Sequence, residues 1–250
     1  MIEKIRVNGR EVIISGDSQS LPQSLKHFYF QKWLKDFDHE KMHIQAIAIQ
    51  SADILGGRVV FIKFEVFAVD AVTGIKIPGI VFMRGDSVQI SVRVRNKDTG
   101  QLFYLLVKQP RIPIGRYDMI EIPAGVMDPD GKTLISRALA ELGEETGVTV
   151  FPDQLREDGS FVASTGGSDE TIHCFSVDVE LGTEAIEKLC AQIHGVAKEG
   201  EMIKVFLVTP EEYVQMILRG ELTDSKALIA ALFRTLKTNP ALVVEALTHS

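Results

Sequence analysis

Glu141, Glu144 and Glu145 stand at i, i+3 and i+4 within the run Leu134-Ile-Ser-Arg-Ala-Leu-Ala-Glu-Leu-Gly-Glu-Glu-Thr-Gly-Val148. On a helix that spacing projects all three carboxylates from one flank. Ile135, Ala138, Leu139 and Leu142 form the apolar stripe beside them, with Glu145 nearest its edge and Glu144 furthest away. Such a helix is locally poor. Like charges at this spacing cost a few tenths of a kcal/mol per pair, and anions in the last turns oppose the macrodipole. Gly143, in the interior, costs about 1 kcal/mol more. Hard oxygen ligands converging on one point are what Mg²⁺ or Mn²⁺ requires. From spacing alone, a solvated acidic face is the competing reading.

Other residues invite chemistry less strongly. His39-Glu40-Lys41-Met42-His43 spells the HExxH zinc pattern, which needs one continuous helix and a third ligand. Here a strand-like run begins at Ile44, so the pattern would straddle a helix end and is read as a solvated surface segment. Cys174 and Cys190 show no metal-ligand spacing and are read as free, packed thiols.

The elements that must position the glutamates follow from periodicity. Residues 1–15 read as a hairpin about Asn8-Gly9, and Ser24–Phe37 as a helix. From His43 to Phe82 the pattern is period two, interrupted by turns at Gly56-Gly57, Thr73-Gly74 and Pro78-Gly79. Val88–Arg95 and Leu102–Val107 are further strands. Helices are expected at Leu134–Thr146, Thr183–Ile193, Pro210–Leu218 and Ser225–Lys237, with strands near Phe161–Ala163, Ile172–Val179 and Ile203–Val208. This gives an α/β (α+β) chain: a smaller β-rich part over residues 1–78, then a mixed-sheet domain with helices over 79–250.

Composition narrows the class. The 250 residues are 45% hydrophobic and 24% charged, which suits a globular protein and not a disordered one. No apolar run reaches the ~18–20 residues of a membrane span, and residues 1–7 lack the character of a signal or transit peptide, so a cytoplasmic protein is expected. A net charge of −7 without a Lys/Arg cluster argues against extended nucleic acid as a partner. An anionic small substrate stays compatible, since a bound cation reverses the local field.

The glutamate helix, preceded by Ile122-Pro-Ala-Gly-Val126, resembles the Nudix box, in which a Gly-containing loop leads into a helix bearing Arg-Glu-apolar-x-Glu-Glu-x-Gly-apolar. Val81-Phe-Met-Arg-Gly85 is similar to the Phe-x-Arg-Gly motif of the ADP-sugar diphosphatase branch, including its plant plastid members. Lys108-Gln-Pro-Arg111 resembles that branch's Gln-x-Arg strand end, and Ser164-Thr-Gly-Gly-Ser-Asp-Glu170 its Ser-Pro-Gly-Gly-x-x-Glu loop. The order and spacing of these motifs match over about residues 25–237.

The resemblance implies a Nudix fold and hydrolysis of a nucleoside-diphosphate sugar, such as ADP-ribose or ADP-glucose, with Mg²⁺ or Mn²⁺. It implies metal ligation by Glu141, Glu144, Glu145 and the carbonyl of Ala124. Substrate binding would fall to Arg84, Arg111 and Glu170, and the general base to Glu201 in preference to Glu199. Two departures stand out: Ala140 replaces the box Arg, and Gly131 or Lys132 stands where the earlier Glu belongs. Losing both partners of a brace strands no charge, and Arg137, one turn before Glu141, is the candidate substitute. Relatives in this branch dimerise through their N-terminal segment, so a homodimer is expected. A catalytically weak nucleotide-sugar sensor, and an enzyme for another diphosphate such as coenzyme A or a dinucleotide, stay open as alternatives.

Overall fold

The computed structural model describes residues 1–55, 57–127, 133–196 and 200–248. Gly56, Gly131, Lys132 and Glu199 lie outside these. Contacts divide the chain into two units, Met1–Asp86 with Val162–Thr171, and Ser87–Phe161 with Ile172–Ser250.

The first unit opens with the expected hairpin, β1 (Ile2–Val7) and β2 (Arg10–Ser15). Asn8 and Gly9 turn it with φ of 47° and 77°, the left-handed pair that a two-residue hairpin turn needs. The expected single helix is instead two, α1 (Ser20–Lys26) and α2 (Phe28–Asp36), broken where His27 is extended at φ −69°, ψ 131°. The break lets both short helices bury an apolar side, with Leu21 from α1 and Phe30 from α2 fully covered.

Strands β3 (Met42–Leu55), β4 (Arg58–Asp70), β5 (Lys76–Ile77) and β6 (Ile80–Met83) complete a sheet ordered β1-β2-β3-β4-β5, with β6 also on β4. Phe64 of β4 meets Phe30 and Trp33 edge-on, at ring separations of 5.3 and 5.2 Å. Offset and edge contacts of this kind add to plain burial. The HExxH run is not helical: α2 has ended, β3 begins at Met42, and His39 Nε2 lies 2.9 Å from the Leu34 carbonyl oxygen.

The second unit is a sheet ordered β11-β12-β7-β8-β14-β13. Its strands are β7 (Ser87–Asn96), β8 (Leu102–Arg111), β9 (Arg116–Glu121), β10 (Ala124–Val126), β11 (Arg156–Val162), β12 (Thr171–Leu181), β13 (Ile193–His194) and β14 (Ile203–Val208). β9 pairs with β8 and β10 with β7. The β7–β12 pair is parallel, with Ile90 opposite Phe175, so directions are mixed and the fold is α+β as expected.

Between these strands run α3 (Leu134–Thr146) and α4 (Thr183–Ala191), and after β14 come α5 (Pro210–Leu218), α6 (Ser225–Thr238) and α7 (Pro240–Thr248). The last of these, α7, has no counterpart among the sequence expectations. α4 stops two residues short of its expected end because Ile193 pairs into the sheet. β7 alternates Ser-Val-Gln-Ile-Ser-Val, which reads as one wet face. Both faces are in fact buried, since α3 and α6 each pack on this strand, and Gln89 donates to Cys174 Sγ at 3.0 Å. Both cysteines are free, as expected.

Candidate active site

The glutamate helix α3 is bounded by its own sequence. Thr133 Oγ1 accepts from the Ser136 N–H at 3.1 Å, and Gly147 closes the helix in the left-handed region. Its buried face differs from the apolar stripe read from the sequence. Ile135 is exposed, while Ala138, Glu141, Leu142 and Glu145 are all buried. The helix is rotated about its axis so that two carboxylates replace Ile135 in the covered face. Glu144 points outward, and its carbonyl accepts from the Gly195 N–H at 2.9 Å.

Two contacts fix the buried pair. Glu145 Oε2 accepts from the Ala124 N–H at 2.9 Å. Glu141 is ion-paired to Arg137 one turn earlier, the substitute brace expected from the sequence. Gly125 lies against the Glu141 carboxylate: a Cβ there would fall 1.6 Å from Oε1. Any side chain at 125 would therefore occupy the space of the carboxylate, which is a physical reason for glycine in Pro123-Ala-Gly-Val.

The electrostatics identify what surrounds Glu145. Its carboxyl is pushed up to about 8, first by burial and then by the charge of Glu141, with Glu201 adding in the same direction. The Ala124 N–H and the Arg111 guanidinium oppose that shift. Glu141, Arg111 and Glu201 thus all act on Glu145 within one unit. Glu201 Oε2 accepts from the Val196 N–H at 2.9 Å.

Arg111, at the end of β8, forks onto Glu121, Nε to Oε1 at 2.6 Å and Nη2 to Oε2 at 2.7 Å. Burial works against a charge on Glu121, but Arg111 and Lys226 overcome it and hold that carboxyl below the usual range. Sequence reading missed Glu121 and Lys226. Glu121 left a signal, a lone acid between Ile120 and Ile122. Lys226, in the first turn of α6, left almost none.

Arg84 and Glu170 belong to the first unit, where the loop 164–170 docks on β6. The Phe82 N–H donates to the Gly167 carbonyl at 2.7 Å, and the Arg84 N–H to Asp169 Oδ1 at 2.8 Å. Arg84 Nε lies 3.4 Å from Glu170 Oε1, close enough for an ion pair but not hydrogen-bonded, and its guanidinium sits 5.8 Å from the Phe61 ring centre. The two motifs read separately in the sequence are therefore brought together.

Among the described residues no group of three His, Cys, Asp or Glu side chains is gathered closely enough to hold a metal ion. The donor chemistry nevertheless fits a hard divalent cation. Burial first, and then the charge of Glu141, push the Glu145 carboxyl up to about 8, and a third carboxylate, Glu144, stands at the adjoining helical position. A cleft of about 740 Å³ in this unit, lined by Gly147, Gln154, Lys188 and His194 among others, contains none of the candidate residues.

Over 217 residues the chain is 30% identical to Nudix hydrolase 14, chloroplastic, of Arabidopsis thaliana, covering 80% of this chain and 68% of that protein. The chain belongs to the Nudix hydrolase family. As a Nudix hydrolase it is an enzyme. It is also 48% identical over 62 residues to putative nudix hydrolase 2 of Caenorhabditis elegans, covering 25% of this chain and 26% of that one. With ADP-ribose pyrophosphatase of Escherichia coli (strain K12) it shares 30% identity over 132 residues, 50% of this chain and 58% of that one. No protein-family model matches the chain. No described helix is long and apolar enough to cross a membrane.

Proposed function

We propose that this Nudix hydrolase cleaves the pyrophosphate bond of a nucleoside-diphosphate sugar, ADP-ribose or ADP-glucose foremost, to a nucleoside monophosphate and a sugar phosphate. The observation that carries the reading is the buried Glu141–Glu145 pair against Gly125, with Arg111 and Glu201 in electrostatic reach. The name of the Escherichia coli relative, ADP-ribose pyrophosphatase, supports the substrate class.

Glu141, Glu144, Glu145 and the Ala124 carbonyl would hold Mg²⁺ or Mn²⁺. When bound, such a cation neutralises phosphate charge and lowers the pKa of a bound water. The protein's own groups do the rest. Arg111 contacts a non-bridging phosphate oxygen, a task its planar fork suits. Glu201 accepts the proton of the attacking water as the new P–O bond forms and the bridging P–O bond breaks. Catalysis of this kind rests on positioning and charge, with little covalent work for the protein. Arg84 and Glu170 are assigned to substrate binding on their motif resemblance.

The chain is also assigned to a homodimer through its first unit, where Phe28, Ile80 and Phe82 are exposed. Light scattering reads this directly: a mass near 27.7 kDa removes the dimer, and twice that supports it. A hydrolysis panel of ADP-ribose, ADP-glucose, UDP-glucose, GDP-mannose and NADH with Mg²⁺ or Mn²⁺ tests the activity. Turnover is expected with the ADP-sugars. Tight binding without turnover of any of them would make the protein a sensor instead.

A further inference from the structure

Lys226 sits where a lysine is poorly placed. It lies in the first turn of α6, the end of a helix where the macrodipole disfavours cations, and its side chain is only 18% exposed. Burial works against its charge, and Asp224 and Glu121 more than restore it. Lys226 Nζ is 2.8 Å from Asp224 Oδ1 and 3.4 Å from Glu121 Oε2. Buried ion pairs of this kind are seldom net stabilising against apolar residues of like size. Nor does the cap of α6 require it, since Asp224 Oδ1 already accepts from the Lys226 backbone N–H at 3.3 Å. Stability alone does not account for this lysine.

Its effect on Arg111 does. Glu121 grips Arg111 by the Nε edge, using Nε–H and one N–H of Nη2. Three of the five guanidinium N–H groups then remain on the other edge, and the side chain is 38% exposed. Lys226 lies 3.4 Å from Glu121 Oε2, the same oxygen that Arg111 Nη2 uses, and so pins that carboxylate and fixes where the open edge of the fork faces.

We infer that Lys226 is a positioning residue: acting through Glu121, it keeps the Arg111 fork oriented toward a phosphate of the diphosphate. This rests on the proposed pyrophosphatase reading. Losing a contact made equally in the ground and transition states raises KM and leaves kcat nearly unchanged.

The full chain is therefore assayed with ADP-ribose and Mg²⁺, and its binding of ADP is measured by calorimetry. Lys226→Met is expected to raise KM and weaken ADP binding about tenfold, with kcat within about threefold. Lys226→Arg should recover most of that loss. In an Arg111→Met background Lys226→Met should add nothing, the mark of residues acting as one unit.

An unchanged KM in folded Lys226→Met overturns the inference, as does a tenfold loss that persists without Arg111. Lys226→Gln, which keeps a donor toward Asp224, repeats the test if the Met variant does not fold. If neither folds, Lys226 is a structural residue and the inference fails. A wild-type chain that neither turns over ADP-ribose nor binds ADP removes the pyrophosphatase reading itself. Wild-type activity with an indifferent Lys226→Met removes the inference alone.

Discussion

Replacing Glu145 by Gln should make the metal-free protein more stable at neutral pH, and by an amount that grows with pH. The folded state holds the Glu145 proton up to about 8, against 4.5 for an ordinary glutamate. Between those values the unfolded chain has released its proton and the folded chain has not, so native stability falls as pH rises through the window. Below 4.5 both states keep the proton and nothing is lost; above 8 the loss is complete. At about 1.4 kcal/mol per pH unit, the loss is on the order of 3 kcal/mol at pH 7 and 5 kcal/mol at pH 8. Gln is neutral throughout, so Glu145→Gln removes this dependence while its amide oxygen can still accept from the Ala124 N–H. The assay is urea unfolding of both proteins in a chelator at pH 5, 6, 7 and 8. The difference between them cancels the titration of groups that do not interact with Glu145. Glu145→Gln should gain progressively from pH 5 to 8, and millimolar Mg²⁺ should shrink the gain by favouring the ionised wild type. Parallel stability curves over that range would refute the argument that Glu145 is held protonated by burial and Glu141.

Gly125→Ala forces a methyl into the Glu141 carboxylate. It is expected to cost about 1–3 kcal/mol by overpacking and to lower kcat at least tenfold, read by thermal unfolding and steady-state kinetics. Arg137→Met takes a cation away from a buried carboxylate. Loss of about 3 kcal/mol is expected in chelator, less with Mg²⁺, and Arg137→Lys should restore part of it. His39→Ala should leave the rate within a few-fold, because the HExxH residues do not share a helix. A collapse of activity, with zinc found by elemental analysis, would reverse that reading.

Much of the fold was legible because its signals are local. Asn8-Gly9 dictates a hairpin turn, and Thr133 with Gly147 delimits α3 to the residue. The two-helix break at His27 was not legible, since nothing in the residue itself forbids a continued helix; packing of two short faces decides it. The orientation of α3 was misread for a related reason. Hydrophobicity favours Ile135 inward, yet tertiary contacts bury Glu141 and Glu145 in its place. The glutamates were recognisable as a set by spacing. Their unequal burial was only partly so, through the position of Glu145 at the stripe's edge. Lys226 was illegible because its meaning lies in Glu121, more than a hundred residues earlier. β9, polar over its first residues, and β10, only three residues long, carry too little alternation to be read as strands. They nevertheless place Glu121, Ala124 and Gly125.

The central claim is that water attacks phosphorus at a site built on Glu141 and Glu145. The most direct measurement is hydrolysis of ADP-ribose in heavy-oxygen water with Mg²⁺, the products weighed by mass spectrometry. The account predicts AMP and ribose 5-phosphate, with one heavy oxygen on one of the two phosphates, and no such products from Glu144→Gln or Glu145→Gln. Release of ADP and free ribose, or label absent from both phosphates, would contradict it.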